Sequence, residues 1–270
     1  MIGAVVYKLC VRENGYLPKH QGRLLHAAFF HILSCFSEEL AACTHDDVRI
    51  KSFTVSDLDE EQKNKYNVDR IFVRKGQTFF WRVTALTDEL LEAALSVPIG
   101  FVIKIGAVQF SVLHIISNGN EKADSGLLDI NALIHTCLME NEISSITFRF
   151  LSPVSFRTFK YDYPFPLPQL IYGSLVDKWN LAGMPIFLNK DEVRSIAEKL
   201  IPIAWQGKTE QIYFKSDRGI TGFTGNFSFS VAMEPLDYRR IFLLLAQFSV
   251  FAGVGRLTGQ GMGQTRITYR

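Results

Sequence analysis

Cysteine is scarce in this sequence and is not arranged for chemistry. Cys10, Cys35, Cys43 and Cys137 are the only four among 270 residues, no two form a CxxC pair, and their spacings give no zinc set. With no signal peptide at the start, the expectation is a reduced, cytoplasmic protein. Long hydrophobic runs are missing too. The opening MIGAVVYKLCV is too short, and too soon charged, to span a membrane. The apolar segment 241–254, at about fourteen residues, suits a buried helix better than a membrane span. The familiar phosphate loops are absent. After Gly253 and Gly255 a GxGxxG would need glycine where Thr258 stands, and the segment follows a helix-like run rather than a strand. Gly207-Lys208-Thr209 reproduces only the end of a P-loop, with Pro202 in place of the leading glycine. Overall charge is small, +2, and by itself names no nucleic-acid partner.

Acid is missing in one place that matters. From Arg239 to Arg270 there are five arginines and no Asp or Glu, so residues 1–238 carry −3 by difference. The same stretch holds five glycines in eleven residues: Gly253, Gly255, Gly259, Gly261 and Gly263, with Arg256 among them. Glycine at this density marks backbone that takes positive φ or approaches a partner closely. With only positive charge around it, such a loop suits a polyanion backbone. The plainer reading is a connector between a helix and a last strand.

The rest is well supplied with core-forming residues, 47% of the chain being hydrophobic, and the length fits one large domain or two ordinary ones. Gly3 to Val11 reads as a strand and Gly15 to Gly22 as a loop. Arg23 to Phe36 has helical periodicity, with Leu25, Ala28, Phe29, Ile32, Leu33 and Phe36 on one face. Glu38 to Ala42 reads as a short helical turn, and Arg49 to Leu58 as an alternating strand. Arg70–Val73 and Thr78–Leu86 flank Lys75-Gly76, a hairpin signal. Thr87 to Val97 is a helix with Thr87 as N-cap, and Phe101 to Ile116 gives one or two strands. This order is βαββαβ, the ferredoxin-like unit. Asn118 to Asp124 reads as a linker and Leu127 to Leu138 as a connecting helix. Strand (144–157), helices (169–181, 190–200), strands (210–215, 221–233), helix (237–251) and last strand (265–269) then repeat the order. The expected fold is α+β: two tandem ferredoxin-like domains, 1–122 and 144–270, joined by 123–143, with the glycine loop in the second.

Four stretches in this order resemble the RAMP superfamily of CRISPR-associated proteins, and within it the endoribonuclease that cuts CRISPR repeat RNA. They are Leu24-Leu25-His26-Ala27-Ala28-Phe29; Leu40 to Asp46 followed by Lys51 to Ser56; Ile146 to Pro153; and the glycine loop itself. The resemblance implies a precursor crRNA-processing enzyme that needs no metal or other cofactor. The RNA's own 2′-OH attacks the neighbouring phosphate, leaving a 2′,3′-cyclic phosphate and a 5′-OH. It implies CRISPR repeat RNA as partner, with effector-complex subunits and a second copy of the chain as candidates and no membrane. The alternative is a non-catalytic RAMP subunit that only holds RNA.

This chemistry needs a base, an acid for the 5′-oxygen, and positive charge for the phosphorane. Histidine, with its unperturbed pKa of about 6.5, suits both proton roles. Of His20, His26, His31, His45, His114 and His135, two lie in the motif stretches. His26 borders the apolar face of its helix. His45 follows the next turn, and helix and turn can fold back on each other so that the two converge. Lys51, at a family position that often carries lysine, is the candidate for phosphorane charge. His20 lies in a loop within reach of RNA, His31 faces solvent, and His114 is structural. Asp46 and Asp47 either repel RNA or orient His45; with His26 and His45 they are also metal-ligand types, but no tight motif supports a metal site. Candidate RNA contacts are Arg149, Arg157, Lys160, Arg239, Arg240, Arg256, Arg266 and the five loop glycines. Tyr161, Tyr163 and Phe165 are candidates for base stacking.

Overall fold

The computed structural model describes residues 1–46, 50–60, 70–214 and 219–270, the side chains of His45 and Asp46 excepted. The chain forms two compact units, Met1–Leu127 with Gly259–Gly261, and Leu128–Thr258 with Met262–Arg270.

In the first unit β1 (Ile2–Val11) runs to β2 (Gly15–Pro18), then α1 (Gly22–Phe36) and α2 (Glu38–Asp46). β3 (Phe53–Val55), β4 (Asp59–Glu60), β5 (Arg70–Val73) and β6 (Thr78–Ala85) follow, then α3 (Asp88–Leu95) and the hairpin β7 (Val102–Ile105) and β8 (Val108–Ile116). The main sheet runs β3-β6-β1-β8-β7, the ferredoxin-like order with β7 added at one edge. The ladders along this path are antiparallel, with Val5 opposite Val83 and Lys8 opposite His114. α1 forms because its apolar residues recur at three and four. Leu25, Phe29, Ile32 and Leu33 bury against Val5, Tyr7, Phe53 and Trp81 of the sheet. α3 begins where Thr87 accepts from the Leu90 N–H, with Asp88 and Glu89 in the first turn. Tyr7 donates to the Ala94 carbonyl at 2.6 Å, and burial raises its phenol pKa.

Three local expectations differ. The loop 15–22 contains β2, which pairs with β5. The Lys75-Gly76 turn is present, with Gly76 at φ 84, but joins no hairpin. β6 is already flanked by β1 and β3, and the Gly76 N–H bonds to Val11. The strand expected over 49–58 shrinks to β3, because it can pair with β6 only from Phe53 to Val55.

β9 (Gly126–Leu128) crosses the boundary between the units. In the second unit α4 (Ile130–Met139) leads to β10 (Ser145–Val154), the small hairpin β11 (Phe156–Thr158) and β12 (Tyr161–Tyr163), α5 (Pro168–Leu181) and α6 (Lys190–Ala197). β13 (Ile201–Ile212), β14 (Ile220–Ser230), α7 (Leu236–Ala252) and β15 (Thr265–Tyr269) complete it. The sheet order β13-β14-β10-β15 repeats the first unit's core order. Phe148, Phe227 and Phe229 from the sheet are fully buried with Tyr172 of α5 and Phe242 of α7. β13 begins nine residues before the expected Glu210. Nearly all of its residues are exposed, so it lacks the alternation that a half-buried strand shows. Among the described residues no helix is long and apolar enough to cross a membrane.

One charge lies deep in this core. Lys178 of α5 is 3% exposed, and burial pushes its ammonium pKa down from 10.5 to about 7, against the smaller opposing pull of Asp177. As pH rises from about 7 towards 10.5, the unfolded chain holds a proton that the folded chain has shed. This group's contribution to stability therefore rises across that window and is lost as pH falls through about 7. The melting temperature of wild type minus that of Lys178→Met should climb across the same window. A flat difference would show that Lys178 keeps an ordinary pKa.

Candidate active site and the glycine loop

In the first unit three segments meet. α1 presents His26, half-buried, with its ring 4.9 Å from Phe30 and 5.4 Å from Phe53, centroid to centroid. The segment before β3 presents Lys51, whose Nζ donates to the Thr44 carbonyl of α2 at 2.7 Å and lies 5.7 Å over the Phe30 ring. The third segment is Gly259–Gly261. Its Gly259 carbonyl accepts from His26 Nδ1 at 2.7 Å. A carbonyl oxygen only accepts, so Nδ1 carries a proton and the neutral ring has its lone pair on Nε2.

The approach needs glycine on the α1 side, whereas an added Cβ on the loop side would make ordinary contact. A Cβ on Gly259 would sit 3.4 Å from Lys51 Cβ and 3.5 Å from His26 Nδ1. A Cβ on Gly22, one helical turn before His26, would fall 1.8 Å from the Gln260 carbonyl oxygen. Gly261 takes φ 90 beside Asp57. The start of α1 is braced without a side-chain cap. Instead Asp57 accepts from the Gln21 N–H, and the Gln21 amide spans Pro18, Lys19 and Leu58. His20 Nδ1 stands 3.4 Å from Asp57.

His45 follows Thr44 near the end of α2, which runs to Asp46 rather than stopping at Ala42. Its imidazole, the Asp46 carboxylate and all of Asp47 lie outside the described residues, so the metal alternative built on them does too. His31 and His135 are exposed, and His114 is an exposed partner of Glu121.

In the second unit the ends of the glycine loop are not the bare nest expected. The Gly253 N–H bonds to Ser249, that of Gly255 to Ser174 Oγ, that of Arg256 to Ser155 and that of Gly263 to Pro153. Positive φ at Gly253, Gly255 and Gly263 lets the backbone fold into these bonds. Those donors are satisfied internally and are not offered to an anion. Three of the candidate arginines have partners within the protein. Arg256 forms an ion pair with Asp162, which also lies 3.4 Å from Arg157. Arg239 donates to the carbonyls of Glu234 and Ile143, and Arg240 to the Glu140 carbonyl and Asn141. These two tie the start of α7 to the chain entering β10, work that the sequence cannot tell from phosphate binding.

Other candidates stay open. Arg149 is exposed on β10 directly opposite half-buried Arg266 on β15, two like charges side by side on one sheet face. Lys160 is exposed in the β11–β12 turn, with Tyr161 at 74% and Tyr163 and Phe165 at 37% exposure.

Two ferredoxin-like sheets in tandem, with a glycine loop before the last strand of the second, define the class of fold. A family profile described as the CRISPR Cas6 N-terminal domain matches residues 4–119, and that of the CRISPR-associated endoribonuclease Cas6 matches residues 148–265. The chain belongs to the Cas6 family of CRISPR-associated endoribonucleases. It is similar to a solved Cas6 product complex, at 26% identity and a TM-score of 0.80 over 99% of this chain and 100% of that one. It is also similar to Thermus thermophilus Cas6, at 25% identity and a TM-score of 0.73 over 99% and 98%. A Cas6-related protein from Pyrococcus furiosus shares the fold, at 15% identity and a TM-score of 0.65 over 99% of both chains. No curated protein matches the chain.

Gly22→Ala should push the Gly259–Gly261 segment off His26. Misplacement by an ångström costs a catalytic constellation about 100-fold in rate, so single-turnover RNA cleavage should fall by about that much. Gly100→Ala, at a left-handed glycine with nothing within 4 Å, should cost only about 1–2 kcal/mol of stability and leave cleavage unchanged. Equal activities in the two variants would remove the close approach from the mechanism.

Proposed function

We propose that this protein cleaves CRISPR repeat RNA in precursor crRNA, without a metal, by attack of the nucleotide's 2′-OH on the adjacent phosphate. The products are a 2′,3′-cyclic phosphate and a 5′-OH. The observation that carries this reading is the hydrogen bond between His26 Nδ1 and the Gly259 carbonyl, 2.7 Å long. It holds the neutral ring in the tautomer whose Nε2 accepts a proton, as a general base requires. The nucleophile belongs to the RNA, so the protein has only protons and charge to manage. His26 takes the 2′-OH proton. His45 gives one to the departing 5′-oxygen, as expected from the motif stretch it shares with Lys51. Lys51, whose Nζ lies within reach of the carbonyl just before His45, stabilises the phosphorane.

RNA is held by Arg149 and Arg266, which stand opposite each other on two neighbouring strands and so lie on one sheet face. Lys160, Arg157 and the aromatics about the β11–β12 hairpin extend that contact. The other solved Cas6 chains include product and substrate-mimic complexes, which supports repeat RNA as the ligand here. Effector-complex subunits and a second copy of this chain are further proposed partners.

The test is cleavage of repeat RNA in EDTA, with the ends identified. Wild type should give one cut and a cyclic phosphate. Removing a general acid or base costs about 10²–10⁴-fold, so His26→Ala and His45→Ala should each slow the single-turnover rate by that order. Unimpaired cutting by both variants would sink the site assignment. Loss of activity in EDTA with recovery on adding a divalent ion would replace the mechanism by a metal-dependent one. RNA binding by wild type without any cutting would favour the non-catalytic RAMP reading.

A further inference from the structure

A lysine ammonium taken out of water costs free energy that must be offset where it sits. Lys178, 3% exposed, lies in the last turn of α5, where a leucine would pack without that cost. Its Nζ donates to the Ala252 carbonyl at 3.1 Å and the Gly253 carbonyl at 2.8 Å. These are the last carbonyls of α7. They belong to the end of a helix that has no further turn to bond them, and they carry the negative end of its dipole. Gly253, at φ 63 and ψ 169, turns the chain out of the helix at that point. One turn earlier on the same face of α5, Ser174 Oγ accepts from the Gly255 N–H at 3.1 Å. Ser174 and Lys178 together therefore grip 252, 253 and 255, the three positions from which the glycine loop departs. Val254 then bonds to Gly263, which closes the loop's neck. From Val254 at that neck the chain reaches Gly259 in five residues.

We propose that Lys178 is a positioning residue for RNA cleavage. By binding the Ala252 and Gly253 carbonyls it sets where the loop begins, and through the short chain that follows, where Gly259 offers its carbonyl to His26. The inference rests on His26 being a proton-transfer group. It explains why a charge is placed in the core here. Two carbonyls at one point need two N–H donors from one side chain, which both the ammonium and the neutral amine supply and which no apolar residue does.

The test reads the imidazole directly. In the full chain with ¹⁵N-labelled histidine, long-range ¹H–¹⁵N correlation should show His26 as the Nδ1–H tautomer in wild type. Lys178→Met should turn that signal into a mixture of tautomers. It should also slow single-turnover cleavage at saturating RNA by about tenfold while RNA affinity stays within about threefold, the signature of an interaction that acts on the chemical step. Ser174→Ala, which leaves the core charge in place, should move both readouts the same way by a smaller amount, and it decides the matter if Lys178→Met does not fold. A wild-type tautomer and rate in these variants, whatever their melting temperatures, would reduce Lys178 to a purely structural role and overturn the proposal. Full activity of His26→Ala would instead overturn the reading of His26, and the tautomer measurement would still decide whether Lys178 positions the loop.

Discussion

The site depends on one hydrogen bond between groups 233 residues apart, His26 Nδ1 and the Gly259 carbonyl. A carbonyl can only accept, so the bond fixes the tautomer as well as the ring's orientation. Phe30 and Phe53 hold the ring from its sides. The rest of the first unit serves to bring these groups to one place. The sheet holds α1 through Leu25, Phe29 and Leu33, and the Gln21–Asp57 network holds the end of α1 from which His26 projects.

The glycine loop earns its composition through steric demands more than through anion binding. Gly22 allows backbone to touch backbone, while Gly253, Gly255 and Gly263 allow turns that place their N–H groups in bonds inside the protein. A loop neck with so many internal bonds gives the segment that meets His26 a fixed start. Positive charge for RNA then comes from elsewhere. Arg149 and Arg266 lie side by side on one sheet face, while Arg256 is engaged by Asp162.

Much of this was legible in order and periodicity. α1, α3, α5 and α7 follow from spacing and caps, and the two βαββαβ orders follow from them. His26 stood out because it borders an apolar face. Pairing was less legible. The Lys75-Gly76 turn looks like any hairpin turn, but β6 already has β1 and β3 as partners. β13 is not legible over its first nine residues because a strand exposed on both faces leaves no alternation to read. Lys178 carried no signal at all, since a lysine inside a helical pattern reads as a solvated residue.

The sequence by itself determined the element types, the tandem fold and the presence of histidine, lysine and glycine in stretches that resemble a ribonuclease family. These are local properties, set by spacing and by the chemistry of single side chains. Only the tertiary structure decided which carbonyl meets the His26 ring, which glycines are there for close approach, and that Arg239, Arg240 and Arg256 bond to protein. An arginine or a glycine has the same local signature whichever partner it finds, and the partner is chosen by segments that meet only when the sheets and helices have packed.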